Sequence, residues 1–124
     1  MARVWIRTAL LVILLAIGKP LGVQADEAAV ISATDAAAHV GQSATVQGVV
    51  AEVYVSSKGD VFLDFESPYP NEVFSGAIFS SSAAQFGDLR PYQGKQVQVT
   101  GRIRLYRGKP EIVLQSPNQL RIAP

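Results

Sequence analysis

The chain has 124 residues, a formal net charge of +1, one histidine and no cysteine. The absence of cysteine excludes disulfides, thiolate catalysis and cysteine-ligated zinc, and a single histidine argues against a zinc site or a histidine-based catalytic triad. This length suits one small domain with a modest core.

The N-terminal segment has the three parts of a secretory signal peptide. Arg3 and Arg7 precede an apolar run over 9–17, and small residues end the segment at Ala25. The apolar run is shorter than the roughly 20 residues that span a bilayer, although an uncleaved membrane anchor stays the alternative. We therefore expect cleavage after Ala25, a single mature domain over 26–124 without a stable membrane anchor, and a periplasmic or secreted protein.

Opposite charges are concentrated in the two halves of this expected mature domain. Residues 26–88 contain nine acidic residues and one basic residue, whereas residues 89–124 contain seven basic residues and one acidic residue. Such an asymmetry indicates an electrostatic partner site, unless the fold brings the halves together so that they neutralise each other.

The first predicted elements are a short helix and a long strand. Ser32 and Gly41 are typical cap and stop residues for a helix over Ala33–His39. A run rich in β-branched residues covers 43–57 and contains Gly48, and a glycine inside so long a strand indicates a bulge. A bulge there predicts an inward face made of Val46, Val49, Ala51 and Val53.

Two shorter strands follow a turn predicted at Lys-Gly-Asp (58–60). The alternation in "VFLDFES" (61–67) places Leu63 and Phe65 inward, and "EVFSGAIFS" (72–80) is the third strand. Two prolines in the "SPYPN" segment between them indicate a rigid turn.

The rest of the chain predicts a second short helix and two more strands. Ser82 and Gln85 have capping-box spacing, and Phe86 is expected to close one end of the core. The fourth strand covers 95–106 and the fifth covers 110–116. Their predicted inward residues are Val97, Val99, Gly101, Ile103 and Leu105, followed by Ile112 and Leu114.

The resulting order, β-β-β-α-β-β, predicts an all-β fold. Five short strands lose their exposed edges when they close into a barrel, and the helix between strands 3 and 4 would cover one end. We therefore predict a five-stranded Greek-key OB-fold barrel, preceded by the short N-terminal helix, in which strands 1 and 4 adjoin.

Two segments carry a resemblance to a known family: "GKQVQVTGRI" (94–103) and "YRGKPEIVLQSPNQL" (106–120). The chain resembles small exported bacterial OB-fold domains, which are similar to the anticodon-binding (tRNA-anti-like) type of OB domain found beside tRNA synthetase and nuclease modules. The resemblance covers roughly 31–122. It implies the OB-fold and a binding module rather than an enzyme, but it names no ligand, because OB barrels have many unrelated functions.

OB barrels bind single strands on strands 2 and 3, between the loops that join strands 1–2 and 4–5. Aromatic rings stack on bases, and basic side chains contact phosphates. Phe62 and Phe79 alternate with inward positions and should face outward. The alternative is a structural role, because OB barrels also need aromatic residues for packing and the outer face of a strand needs polar residues. The predicted ligand-binding residues are Tyr54, Phe62, Phe79 and Tyr106 as stacking platforms, and Lys58, Arg102, Arg104, Arg107 and Lys109 as phosphate ligands. Glu52 is the expected acidic neighbour of Arg102 and Arg104.

An acidic set lies on or near the same two strands, where it would repel phosphates: Asp60, Asp64, Glu66 and Glu72. Carboxylates suit calcium or magnesium, but their spacing is not that of an EF-hand loop. A calcium-dependent OB-fold nuclease would require additional helices and length. We therefore predict no metal site, no cofactor and no catalytic residue.

These observations predict an exported, non-enzymatic OB-fold module that binds single-stranded nucleic acid or a similar anionic polymer. The alternative is a periplasmic protein-interaction or envelope-stress module without nucleic-acid binding. A strand binder loses affinity steeply with salt, whereas a protein-interaction module need not. The sequence leaves open the choice among DNA, RNA and oligosaccharide, as well as the oligomeric state.

The first testable prediction concerns processing. Expression in a bacterium with an intact secretion pathway should yield an exported protein that begins at Asp26, because small residues precede that position after a short apolar run. Intact-mass measurement of the exported fraction checks the N-terminus. A membrane-bound species that retains Met1 would instead identify the segment as an anchor.

Overall fold

The computed structural model describes residues 29–124, so the predicted signal peptide lies outside the described residues. Within that range there are eight strands, one α-helical turn and three 3₁₀ helices. No helix in this part of the chain is long and apolar enough to cross a membrane. The strands are β1 (Val30–Ser32), β2 (Ser43–Val55), β3 (Val61–Phe65), β4 (Phe74–Ile78), β5 (Gln96–Arg102), β6 (Arg104–Tyr106), β7 (Lys109–Val113) and β8 (Leu120–Ile122). The helices are α1 (Ser80–Ala83) and the 3₁₀ helices Ala33–His39, Arg90–Tyr92 and Pro117–Gln119.

The strands form one sheet with the order β6-β7-β4-β3-β2-β5-β8, and β1 pairs with β2. The five predicted strands correspond to β2, β3, β4, β5 with β6, and β7. Strands β2 and β5 pair antiparallel, which confirms that predicted strands 1 and 4 adjoin, and β4 pairs parallel to β7. The fold is therefore all-β, whereas the closed five-stranded barrel stays a prediction.

The N-terminal helix has the predicted bounds, Ala33–His39, but it is a 3₁₀ helix. The Ser32 side chain accepts a hydrogen bond from the Thr34 amide at 3.2 Å, as expected for an N-cap. Residues three apart lie on the same side of a 3₁₀ helix, and Ala33 and Ala36 are both completely buried. The alanine-rich sequence thus lets this helix cover the core against β2, β4 and β7.

The inward face of β2 differs from the prediction. Val46 is buried as expected, but Val49 is 38% exposed and Val50 is buried, because the irregularity in pairing lies between Val50 and Glu52 rather than at Gly48. Gly48 serves a different purpose. A Cβ atom there would lie 2.9 Å from the Ala33 Cβ and 3.0 Å from the Phe65 ring, so this glycine permits close approach of the core.

The predicted fourth strand is interrupted at Ile103. The Ile103 amide donates to the Gln42 carbonyl at 2.9 Å, and its carbonyl accepts from the Gly41 amide at 2.8 Å. Ile103 is thus bonded to the segment before β2 and belongs to neither β5 nor β6. Ile103 is buried as predicted, but the alternation does not continue past it, so the prediction that Leu105 points inward is wrong.

The N-cap of the second helix lies three residues before the predicted cap at Ser82. Helix α1 begins at Ser80, whose amide donates to the Asp60 carboxylate at 2.8 Å, and it contains no buried residue. Its N-cap residue is Phe79, so the predicted capping box at Ser82 is not used. Phe86 is only partly buried at the edge of the core, and the buried residue in this segment is Leu89.

The core lies between the inward faces of the strands. Phe65 and Phe74 pack edge to face with ring centroids 5.1 Å apart, an arrangement that aromatic pairs favour. Leu63, Phe65, Val97, Val99, Ile112 and Leu114 are buried as predicted. The core therefore confirms the period-2 pattern of β3, of β5 and of β7.

The interruption at Ile103 predicts unequal costs for two neighbouring truncations. Ile103→Ala should lower the free energy of unfolding by about 2–5 kcal/mol, because the side chain is fully buried. Leu105→Ala should change it by less than about 0.5 kcal/mol, because Leu105 is 57% exposed. Urea denaturation of both variants provides the comparison. Equal losses would show that strand alternation continues through this segment.

Candidate functional site

A groove of about 690 Å³ lies on the outer side of β3 and β4 and extends to the hairpin between β6 and β7. We call it the β3–β4 groove. Its volume falls within the range of about 300–1,000 Å³ that is typical of ligand sites. The lining residues are Glu52, Tyr54, Phe62, Asp64, Tyr69, Pro70, Glu72, Ser75, Tyr106, Arg107, Lys109, Pro110 and Glu111.

Alternate side chains of β3 point to opposite faces of the sheet, one toward the core and the other toward the groove. Leu63 and Phe65 point into the core, so Phe62 and Asp64, which alternate with them, line the groove. The neighbouring strands supply the cross-strand partners: Tyr54 and Glu52 on one side, Ala77 and Ser75 on the other. The Tyr54 and Phe62 rings stack with centroids 6.3 Å apart and planes inclined by 26°.

Asp64 forms the buried floor of the groove. It is 4% exposed, and its Oδ1 accepts a hydrogen bond from the Ser75 hydroxyl at 3.1 Å. Burial raises the pKa of Asp64 to about 6, with a further increase from the charges of Glu72 and Glu52. The Ser75 hydrogen bond and the Lys109 charge oppose this increase in pKa. Asp64 is therefore partly protonated at mildly acidic pH.

Two of the predicted phosphate ligands are instead bound to buried carboxylates. Lys109 Nζ donates to Glu72 Oε1 at 3.0 Å, and it also donates to the carbonyls of Glu72 and Pro70. The Arg104 guanidinium contacts Glu111 Oε1 at 2.8 Å, so the expected pairing of the arginines with Glu52 is wrong for Arg104. These pairs neutralise two carboxylates. The Lys109 pair holds the β3–β4 loop against β7, whereas the Arg104 pair joins β6 to β7 within the hairpin.

The hairpin between β6 and β7 supplies the opposite side of the groove. Tyr106 pairs with Lys109 across a two-residue loop, in which Arg107 (φ 52°) and Gly108 (φ 81°) both have positive φ. Such loops require positive φ at both positions, which glycine adopts without strain. The Arg107 guanidinium lies over the Tyr106 ring, 5.2 Å from its centroid, and Tyr106 is 47% exposed. Arg107 forms no ion pair within residues 29–124.

The structure brings together five of the nine predicted ligand-binding residues: Tyr54, Phe62, Tyr106, Arg107 and Lys109. The other four lie outside the groove lining. Lys58 is in the β2–β3 turn, Phe79 follows β4, and Arg102 ends β5 opposite Ser43. Arg104 contacts the groove only through its partner Glu111.

Of the predicted acidic set, Asp64 and Glu72 line the groove, whereas Asp60 and Glu66 hold the backbone. Asp60 accepts from the first amide of α1, and Glu66 accepts from the Val49 amide at 3.0 Å. Within residues 29–124, no three histidine, cysteine, aspartate or glutamate side chains are placed to hold a metal ion.

Sequence reasoning did not identify Tyr69 or Glu111 as groove residues. Glu111 was detectable, because the two-residue Arg-Gly loop sets a register that pairs position 104 with 111. Tyr69 lies in the β3–β4 loop between two prolines, and no strand periodicity applies there.

No protein-family model and no curated protein matches the sequence. Among solved structures, the chain is similar to a crystal structure described as an aspartyl-tRNA synthetase from Leishmania major Friedlin, with a TM-score of 0.50 and 8% identity over 78% of this chain and 21% of that one. A second similar structure is the aspartyl-tRNA synthetase from Entamoeba histolytica, with a TM-score of 0.42 and 14% identity over 70% of this chain and 20% of that one. This chain thus spans about a fifth of either protein. The first likeness supports an OB-like fold.

The raised pKa of Asp64 predicts a pH-dependent gain in stability for Asp64→Asn. The unfolded-state pKa is near 3.9, so the folded protein binds more protons between about pH 4 and 6, and its stability falls as pH rises through that interval. Asparagine does not ionise, so the variant does not lose this stability as the pH rises. We expect Asp64→Asn to raise the free energy of unfolding at about pH 8 by at most about 3 kcal/mol, and to have little effect near pH 4.

Urea denaturation at both pH values tests this expectation. Asp88→Asn is the matched control, because Asp88 is exposed and its hydrogen bond with Arg90 lowers its pKa. This control should not become more stable than the wild type at high pH. An effect of Asp64→Asn that is equal at both pH values would contradict a buried, titrating Asp64.

Proposed function

We propose that this chain is an exported bacterial OB-fold module, with β2–β7 closed as a five-stranded Greek-key barrel, that binds single-stranded nucleic acid in the β3–β4 groove. The segments over 94–103 and 106–120 support this through their resemblance to tRNA-anti-like OB domains. The OB-like fold agrees with it, and the solved structure with the higher TM-score is, by its title, an enzyme that acts on tRNA. The module binds its ligand without a catalytic step.

The observation that carries the proposal is the placement of aromatic rings on both sides of one groove. The Tyr54–Phe62 stack lies on one side, and Tyr106 with Arg107 above it lies on the other. Stacking accepts any base, because every base has a π-face, and an adjacent arginine contacts the phosphates.

The charges of the groove favour one orientation of the strand. Lys109 and Arg104 already neutralise Glu72 and Glu111, which leaves Glu52 and Asp64 on the inner surface and Arg107 on the outer edge. Bases are neutral and carry N–H donors, whereas phosphates are anions. The bases therefore point into the groove, and the phosphates lie outside beside Arg107.

The predicted signal peptide supports a periplasmic or secreted location, where the module would meet nucleic acid outside the cytoplasm. A protein partner is the competing proposal for the same compartment. The two differ in salt dependence, because each phosphate contact releases counterions on binding.

Two substitutions in the hairpin test the proposal. Tyr106→Ala should weaken the binding of a short single-stranded oligonucleotide by about 1–3 kcal/mol through lost stacking. Arg107→Ala should weaken binding across all sequences and reduce the salt slope by about 1. Fluorescence anisotropy at two salt concentrations measures both effects.

Arg102→Ala is the matched control, because it removes an exposed arginine outside the groove lining. Its affinity and salt slope should stay close to those of the wild type. A mature domain that binds no oligonucleotide even at low salt would overturn the proposed function and favour a protein partner.

A further inference from the structure

The floor of the β3–β4 groove contains a carboxylate oxygen that lacks a donor. Asp64 Oδ1 accepts from the Ser75 hydroxyl, but Asp64 Oδ2 accepts no hydrogen bond from residues 29–124. Because Asp64 is almost completely buried, an unpaired oxygen there bears the cost of its lost hydration. A ligand that enters the groove with an N–H group would remove that cost.

We infer that Asp64 is a specificity-determining residue, which accepts a hydrogen bond from the edge of a stacked base and so selects amino-bearing bases over uracil and thymine. This inference rests on the proposed function and adds base selectivity to it.

The register of the strands places the acceptor beside the stacking platform. Asp64 follows Phe62 by two residues on the same face of β3, a separation of about 7 Å along the strand. Glu52 is the cross-strand partner of Asp64, as Tyr54 is of Phe62. A base stacked on Tyr54 and Phe62 thus extends its edge toward the two carboxylates.

The chemistry of the base edges decides which bases fit. Aspartate accepts from the N4 amino group of cytosine, and adenine and guanine also present amino groups. Uracil and thymine present O4 in place of an amino group, and their N3–H lies between two carbonyl oxygens. A carboxylate that approaches that edge therefore meets acceptors. The buried Asp64 carboxylate would stay unpaired, and such an unpaired group discriminates strongly against the base that leaves it so.

The charges around Asp64 reinforce this choice. Glu52 from β2 and Glu72 from the β3–β4 loop both face Asp64, and the nearby cation, Lys109, is bound to Glu72. The floor thus offers acceptors rather than donors. Ser75 from β4 orients the carboxylate by its hydrogen bond to Oδ1 and leaves Oδ2 free for the ligand.

The experiment compares short oligomers of deoxycytidine and deoxyuridine, which have the same backbone and similar ring size but differ at the 4-amino and 4-oxo groups. The wild-type domain should bind the cytosine oligomer about tenfold more tightly at neutral pH. Asp64→Asn presents an amide that can donate to O4 as well as accept, so it should bring the two affinities within about twofold. Asp88→Asn, an equal loss of charge at an exposed position outside the groove lining, should keep the wild-type ratio.

The outcomes separate the two proposals. Binding of neither oligomer overturns the proposed function, and the inference with it. Equal binding of both oligomers by the wild type overturns the inference alone, and this result needs no variant. A wild-type cytosine preference that Asp64→Asn retains also overturns it, because the selectivity would then come from another residue. Thermal unfolding of each variant verifies that it is folded.

Discussion

The burial of Leu63 and Phe65 fixes the register of β3, and the groove depends on that register. Successive side chains on a strand point to opposite faces, so two anchored core residues force Phe62 and Asp64 to the other side. A shift by one residue would exchange the two sets and place a carboxylate in the apolar core. The Phe65–Phe74 contact and the close fit at Gly48 make such a shift costly. The core therefore determines which side chains the groove presents.

Buried carboxylates impose a second constraint on the groove. A charge taken out of water requires a partner and hydrogen bonds, and loss of one partner leaves an uncompensated charge. Lys109 and Arg104 meet this requirement for Glu72 and Glu111. The Lys109 pair also attaches the β6–β7 hairpin to the β3–β4 loop, whereas the Arg104 pair lies within the hairpin. Basic residues that would be phosphate ligands on an open face become structural here. Arg107, at the turn between them, stays available for a ligand.

The groove therefore has two kinds of side chain: those fixed by contacts within the protein and those exposed to solvent. Ion pairs and the Ser75 hydrogen bond hold the walls and floor, whereas Tyr54, Tyr106 and Arg107 are exposed at its edges. An OB-like fold alone does not determine a ligand, because the same barrel serves many functions. The proposed ligand rests on the combination of stacking surfaces, an outer cation and an inner acceptor without a donor.

The sequence by itself determined the all-β class, the bounds of the N-terminal helix, the inward residues of β3, β5 and β7, and five residues that meet in the groove. These follow from local rules: strand alternation, capping and turn chemistry act over a few residues. Only the tertiary structure decided the face of Val49, the exposure of Leu105, and the partner of Lys109. Each of these depends on a contact between distant segments: Gly48 against Ala33, Ile103 bonded to Gln42, and β7 beside β4. The phase of a strand beyond a bend, and the partner of a charge, are set by what packs against them, and periodicity along one strand carries no information about that neighbour.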